Sequence, residues 1–453
     1  MASRCARLAR TSPVVSFGFR SSQALAVMVR PFFLASVLLA PLLIGACANA
    51  PTEGTRSAAG ADTLRLEPIP EYRQIRDCTA DTLPCRIPDA PDRREVERRL
   101  GSRTAVAWGG DDLWTIAYRA PDDSVTGVEV GGGVQLPLSR FEGTRLWALA
   151  LRLPSADSAV VSLRLRVRQG DVSVADTAAI REWRGPLAPP KPHRAERLAG
   201  TLRTDSLWRD ALGAWRRVTV YLPPGHGRQR RVPVVYLADG QGLSDYARVV
   251  DPLVASGELP PVALVGIWVA SGAPGGGPAR GPAQDLRTIE YHRGVEAIPG
   301  ADSAFVVARY QGHREFFTEE VRRWAEDALF VSRERQGRAV HGSSSGGNYA
   351  LTLGRERPDL YDLVIANSNG GSNALAPPEG GWAQASRHVL SAGVLELPSL
   401  GRTLTALGDS LRQHGVAESV TIYPSGHDRQ VWVESFPDAL AWWFAEASPL
   451  TDR

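Results

Sequence analysis

Gly342-Ser343-Ser344-Ser345-Gly346-Gly347 is the stretch that most restricts what this chain can become. Arg338-Ala339-Val340-His341 leads in as the apolar tail of a strand, and Tyr349 to Leu353 leads out as a helix-compatible run. A strand that turns at once into a helix brings two backbones together, so side chains at 342 and 346 would clash and glycine is required. The middle residue, Ser344, is then held in a strained conformation, its hydroxyl exposed and a helix N-terminus beneath it. In that setting G-x-S-x-G is a nucleophile elbow. Outside it, a Gly/Ser-rich hexamer is an ordinary flexible loop, so the rest of the chain has to supply the context.

From about residue 200 onward, strand-like and helix-like runs alternate, which is the pattern of an α/β domain with a mostly parallel sheet. Strands are expected at 218–222, 232–237, 262–268, 339–341, 363–366, 388–391 and 419–423, and helices near 316–331, 345–356, 402–413 and 436–446. Ala273 to Gly281 is a Gly/Pro-rich insertion near the C-terminal edge of that sheet, where such folds place their sites. Residues 96–185 read differently. Leu163, Leu165 and Val167 alternate with Arg164, Arg166 and Arg168, and Gly- and Asp-rich turns separate the short runs, which suggests a small β-sandwich. The Pro-rich segment 185–192 marks the boundary between the two, and residues 47–95 read as a flexible tether.

The first 46 residues read as an export signal. Arg30 precedes an apolar run from Phe32 to Ile44, too short and too interrupted by Pro31 and Pro41 for a comfortable membrane span. It ends in Ile44-Gly45-Ala46-Cys47, which resembles the bacterial lipobox, whose cysteine is lipidated and becomes the new N-terminus. Met28 would give a leader of normal length and is the expected start; an uncleaved signal anchor is the alternative. Either way the body is exported and tethered to a membrane, facing the periplasm, and Ala48 after the cysteine leans toward the outer membrane. Cys78 and Cys85 flank a short loop and are expected to pair in an oxidising compartment. No His or second Cys pair sits at ligand spacing, so a zinc site is not expected.

The formal net charge is +3, but the leader holds five arginines and no acid, so the remainder carries +3 − 5 = −2. That leaves no basic footprint for nucleic acid.

A serine nucleophile needs a base, and the base needs an orienting acid. Of eight histidines, only His414 and His427 lie well after the last plausible acid-bearing strand end. His427 sits in Pro424-Ser425-Gly426-His427-Asp428, a loop before the final helix, whereas His414 reads as a helix C-cap. Glu396, at the exit of a strand, is the first candidate acid. Asp409, inside a predicted helix, is the second, and Asp428 is too close to the histidine to reach round its other nitrogen.

These residues resemble the enterochelin esterase / esterase D group of α/β-hydrolases. Beside the elbow, four segments fall in the group's order: Val220-Tyr221-Leu222-Pro223-Pro224-Gly225, Val234 through Gln241, Arg287-Thr288-Ile289-Glu290-Tyr291, and Gly426-His427-Asp428 with Trp432. The resemblance covers roughly 200–446, and the strands around Gly143-Thr144-Arg145-Leu146-Trp147 are similar to the β-sandwich that precedes the catalytic domain in enterochelin esterases. It implies an α/β-hydrolase domain over 200–448 with Ser344 as nucleophile, His427 as general base and then acid, and Glu396 as orienting carboxylate. The oxyanion hole it implies uses the backbone N–H groups of Ser345 and Gln241, each such donor being worth roughly 3 kcal/mol. Arg287, Glu290 and Tyr291 would lie near the pocket, as substrate contacts or as an ion pair bracing a loop.

Two departures stand out. Serines flank the nucleophile on both sides, though only Ser344 has glycines at both offsets, and the loop from Ala270 to Pro282 is unusual, so pocket shape does not carry over. The function expected is a lipid-anchored serine carboxylic ester hydrolase working through an acyl-enzyme, without cofactor or metal. Its substrate would be a small-molecule ester, including enterochelin-type siderophore lactones or their ferric forms. A feruloyl-type carbohydrate esterase, an acyltransferase of the same fold and a non-catalytic binding lipoprotein are the alternatives.

Overall fold

The computed structural model describes residues 63–71, 75–79, 83–176, 179–209, 212–369 and 377–446. The export signal, Cys47 and the first part of the expected tether lie outside these residues.

The N-terminal half is built from short antiparallel strands: β1 (Leu64–Arg65), β2 (Cys85–Arg86), β3 (Ala105–Gly110), β4 (Leu113–Arg119), β5 (Gly127–Gly132) and β6 (Leu136–Pro137). They are followed by β7 (Ser139–Phe141), β8 (Leu146–Arg152), β9 (Val160–Gln169), β10 (Val172–Ala175) and β11 (Glu182–Arg184). One sheet runs β1-β7-β8-β4-β3 with β2 beside β8, and the other runs β10-β9-β5-β6 with β11 beside β9. The alternation in β9 works as expected: Leu163, Leu165 and Val167 are buried while the three arginines between and after them face solvent. In β4, by contrast, Thr115 and Ala117 are buried as fully as Trp114, Ile116 and Tyr118. The outer face of that sheet is covered by a helix, α1 (Arg93–Leu100), whose Val96 and Leu100 pack with Ala117, Phe141 and Ala148.

That helix and the strands before it correct the tether. The described residues from 64 onward are not a free linker: Leu64 pairs with Phe141, Cys85 with Arg152, and Ile75 is buried. Arg86 donates to Asp77 at 2.6 Å and to the carbonyl of Glu67 at 2.5 Å. The holding forces are backbone pairings and an arginine, neither of which leaves a hydrophobic period to read. Cys78 and Cys85 are joined in a disulfide inside this segment.

The second half holds an eight-stranded sheet in the order β12-β13-β15-β14-β16-β17-β18-β19. Its members are β12 (Thr201–Arg209), β13 (Ala214–Leu222), β14 (Val234–Leu237), β15 (Ala263–Ile267), β16 (Arg338–Ser343), β17 (Leu363–Asn367), β18 (Arg387–Gly393) and β19 (Glu418–Tyr423). β12 and β13 form an antiparallel hairpin at one edge, β13 pairs antiparallel with β15, and every other neighbour is parallel. Each expected strand is present. β12, mostly exposed, had no apolar run to announce it.

Helices cover both faces, which is why the central strands are buried throughout. On one side lie α4 (Ser303–Glu315), a π-turn (Phe316–Val321), α5 (Arg322–Ala328), α6 (Ser345–Glu356) and α7 (Pro398–Gln413). On the other lie α2 (Leu243–Ser256) and α9 (Phe436–Glu446). The short α3 (Leu286–Tyr291) and α8 (Arg429–Glu434) sit in loops and were not anticipated. β14 leads to β15 on one side and has β16 on the other, so the strand order reverses between β14 and β16. In open α/β sheets ligands bind at the carboxyl ends of strands flanking such a switch.

Candidate active site

At the end of β16 the chain makes the turn its glycines require. Ser344 takes φ 58° and ψ −126°, a positive φ that non-glycine residues seldom adopt. A Cβ on Gly342 would lie 2.0 Å from the carbonyl oxygen of Gly346, so the strand and the first turn of α6 are in backbone contact. Ser343 is still inside the strand, in register with Asn367, and Ser345 is already the first residue of the helix. Of the three serines, Ser344 alone stands at the apex. Its N–H donates to the carbonyl of Asn367 at 2.8 Å, which fixes the turn against the end of β17.

The next residue, Ser368, also has a positive φ (54°) and ties the elbow to the acid. Its hydroxyl donates to Oε1 of Glu396 at 2.5 Å and accepts from the indole N–H of Trp432 at 2.8 Å. Glu396 is 2% exposed and also accepts the N–H of Gly393 at 3.0 Å. Its other oxygen, Oε2, lies 3.4 Å from Nδ1 of His427, whose ring stands edge-on to Trp432 with centroids 4.9 Å apart. Asp409 is exposed on α7 and pairs with Arg412 at 3.0 Å rather than with His427. Ser368 carried no signal in the sequence: it is one polar residue after a strand.

Two other histidines have structural roles. His341 is buried and shares a 3.1 Å hydrogen bond between Nε2 and Oδ1 of Asn367, and burial pushes it down to about 3. His414 ends α7, its Nδ1 2.7 Å from the carbonyl of Ser410, stacked on Trp382.

Across the switch point, Asp239 follows β14 with φ 54° and starts a 3₁₀ turn, Gly240–Gly242, that carries Gln241. Two residues of α3 hold it: Arg287 donates to both carboxylate oxygens at 2.8 Å, and the hydroxyl of Tyr291 accepts the N–H of Asp239 at 2.7 Å. Here the structure corrects the pocket set. Tyr291 is buried, and Glu290 is wholly so, accepting from Arg216, from Arg309 at 2.7 Å and from the N–H of Ala270 at 3.0 Å. Both are braces behind the site: Glu290 commits its carboxylate to Arg216, Arg309 and the Ala270 N–H, and Tyr291 commits its hydroxyl to the Asp239 turn. Arg287 does line a cavity of about 420 Å³, with Gln241, Tyr246, Ser343, Arg429 and Trp432. A second ion pair, Arg429 with Asp245 at 2.9 Å, lines the same cavity.

A parallel-centred sheet with helices on both faces, a serine on a strained strand-to-helix turn and a histidine loop after the last strand define an α/β-hydrolase fold preceded by a β-sandwich. Residues 210–394 match the esterase family described as "Putative esterase". Among solved structures, the chain is similar to the ferric enterobactin esterase of Salmonella typhimurium, at 16% identity and a TM-score of 0.56 over 76% of this chain and 97% of that one. It is likewise similar to the enterobactin esterase of Shigella flexneri crystallised in the presence of enterobactin, at 18% identity and a TM-score of 0.54 over 76% of this chain and 96% of that one. The match to that family spans residues 210–394, and the solved structures share the fold of this chain.

Proposed function

We propose that this protein is an esterase, a serine hydrolase that cleaves carboxylic esters through an acyl-enzyme on Ser344. The observation that carries the reading is the chain of contacts from the elbow to the pair: Ser344, at the apex, donates its N–H to Asn367, the next residue Ser368 donates to Glu396, and Glu396 meets His427. In this scheme Ser344 Oγ attacks the carbonyl carbon as His427 accepts its proton. The oxyanion forms against the N–H groups of Ser345 and Gln241, and collapse expels the alcohol, which takes the proton from His427. Water then repeats the sequence on the acyl-enzyme and releases the acid. Glu396 holds the imidazole in the tautomer that accepts at Nε2.

The substrate class we infer is a siderophore-type lactone of the enterochelin kind, free or ferric, by analogy with the esterases whose fold this chain shares. Export and lipid attachment at Cys47 belong to the same proposal. The lipobox-like Ile44-Gly45-Ala46-Cys47 and a disulfide suited to an oxidising compartment support them. The test is hydrolysis of p-nitrophenyl butyrate and fluorophosphonate labelling by the wild type and Ser344→Ala. Loss of both in the variant is expected; equal activity in the two would overturn the mechanism. A panel of apo and ferric trilactones against feruloyl sugars, scored by kcat/KM, decides the substrate class.

A further inference from the structure

The β-sandwich touches the loops that carry His427 and Glu396, and it does so at the residues immediately beside them. The backbone N–H of His427 itself donates to the carbonyl of Gly133, in the turn after β5, at 3.0 Å. The approach is so close that a Cβ on Gly426 would fall 1.4 Å from that same carbonyl oxygen. On the other flank Asp428 is 1% exposed; its Oδ2 accepts the N–H of Ser162, on β9, at 2.6 Å, and its Oδ1 caps α8 through the N–H of Gln430 at 2.9 Å. The acid loop is anchored from the same side. Leu395, one residue before Glu396, is fully buried and belongs to the core of the sandwich, not to that of the α/β domain.

We infer that the sandwich is a positioning element for the hydrolysis: Gly133 and Ser162 set the histidine loop, and the pocket for Leu395 sets the acid loop. The inference rests on the serine-hydrolase reading above. The α/β domain alone holds these two loops from one side, through β18, β19 and α8. The imidazole and the carboxylate meet at 3.4 Å where this second surface fixes both backbones. Orientation at this level matters because a displacement of about 1 Å in a catalytic group costs on the order of a hundredfold in rate. Residues that act this way lower kcat and leave KM alone, since they change the reacting geometry and not the substrate's contacts.

Gly133→Ala in the full-length chain tests this directly. Gly133 needs no positive φ, and its new Cβ would lie 2.8 Å from Oδ2 of Asp428, which two N–H donors prevent from swinging aside. Leu395→Val perturbs the acid loop by a separate route, so a failure of one variant to fold leaves the other to decide. Both are expected to lose about tenfold or more in kcat on p-nitrophenyl butyrate, with KM within about twofold and fluorophosphonate capture slowed in parallel. Ile116→Val, on β4 in the same sandwich core, lowers the unfolding midpoint and leaves kcat unchanged. If Gly133→Ala and Leu395→Val keep wild-type kcat while Ser344→Ala is inert, the positioning role is wrong and the serine mechanism stands. If Ser344→Ala remains active, the mechanism itself is wrong.

Discussion

The hydroxyl of Ser368 donates to Oε1 of Glu396 at 2.5 Å, and both residues are only 2% exposed. With the N–H of Gly393 on the same oxygen, the carboxylate is held on one side so that Oε2 is left facing His427. A buried carboxylate that gives up one of its donors loses about 1–3 kcal/mol. Ser368→Ala is therefore expected to cut kcat by roughly tenfold, with a smaller change in KM, measured on p-nitrophenyl butyrate.

Glu396→Gln separates the two candidate acids. An amide cannot stabilise the imidazolium and can present its NH₂ to Nδ1, which favours the wrong tautomer; such a change costs up to about 10⁴ in kcat in a serine triad. Asp409→Asn removes only an exposed i,i+3 partner of Arg412, so activity within about twofold of wild type is expected. A large rate loss in Asp409→Asn alone would move the acid to α7.

The turn bearing Gln241 depends on α3. Arg287 makes a two-pronged contact to Asp239 that lysine cannot reproduce, and Tyr291 is the acceptor for a backbone N–H. Arg287→Lys and Tyr291→Phe are both expected to lower kcat about tenfold or more, because each loosens a proposed oxyanion donor. Neither is expected to raise KM by a comparable factor. A pure KM effect in Arg287→Lys would instead make Arg287 a substrate contact.

Much of this site was legible because its chemistry needs particular residue types in order. The elbow announces itself through glycines that steric contact demands, and His427 through its place after the last strand. Glu396 is legible from its place at the exit of a strand. The parallel strands were visible as unbroken apolar runs. What stayed hidden lacks a local signature: β12 is solvated, the strands at 64–65 and 85–86 are held by backbone pairing and Arg86, and Ser368 becomes significant only because β17 and β18 are neighbours. The contact between Gly133 and His427 joins residues 294 positions apart, and no pattern along the chain encodes it.

Stability should fall in mild acid. His313, His341 and His388 are buried, and burial pushes them down to about 4, about 3 and about 4. Their folded values lie below the ordinary imidazole range near 6.5, so the unfolded chain takes up protons first. The stability they contribute is fully present above about pH 6.5 and is lost as the pH falls toward 4, at up to about 1.4 kcal/mol per pH unit for each histidine. Chemical denaturation between pH 7 and 4.5 is expected to show a steep decline, made shallower in His388→Gln. A flat profile would mean these rings are protonated in the folded protein.

Glu290 offers the sharpest choice between bracing and binding. Its side chain is entirely buried among Arg216, Arg309 and His313, and burial holds the Arg216 guanidinium below its ordinary range. Removing the carboxylate leaves two largely buried guanidinium groups facing one another with no counter-charge, a situation that costs about 3–5 kcal/mol. Glu290→Ala is thus expected to lower the denaturation midpoint strongly, while the fraction that remains folded keeps its KM. Combining Arg216→Met with Glu290→Leu removes one of the two guanidinium groups that would otherwise face one another, and should restore part of the loss. A substrate contact would behave the other way round, with KM raised in Glu290→Ala, stability near wild type, and no recovery in the double variant.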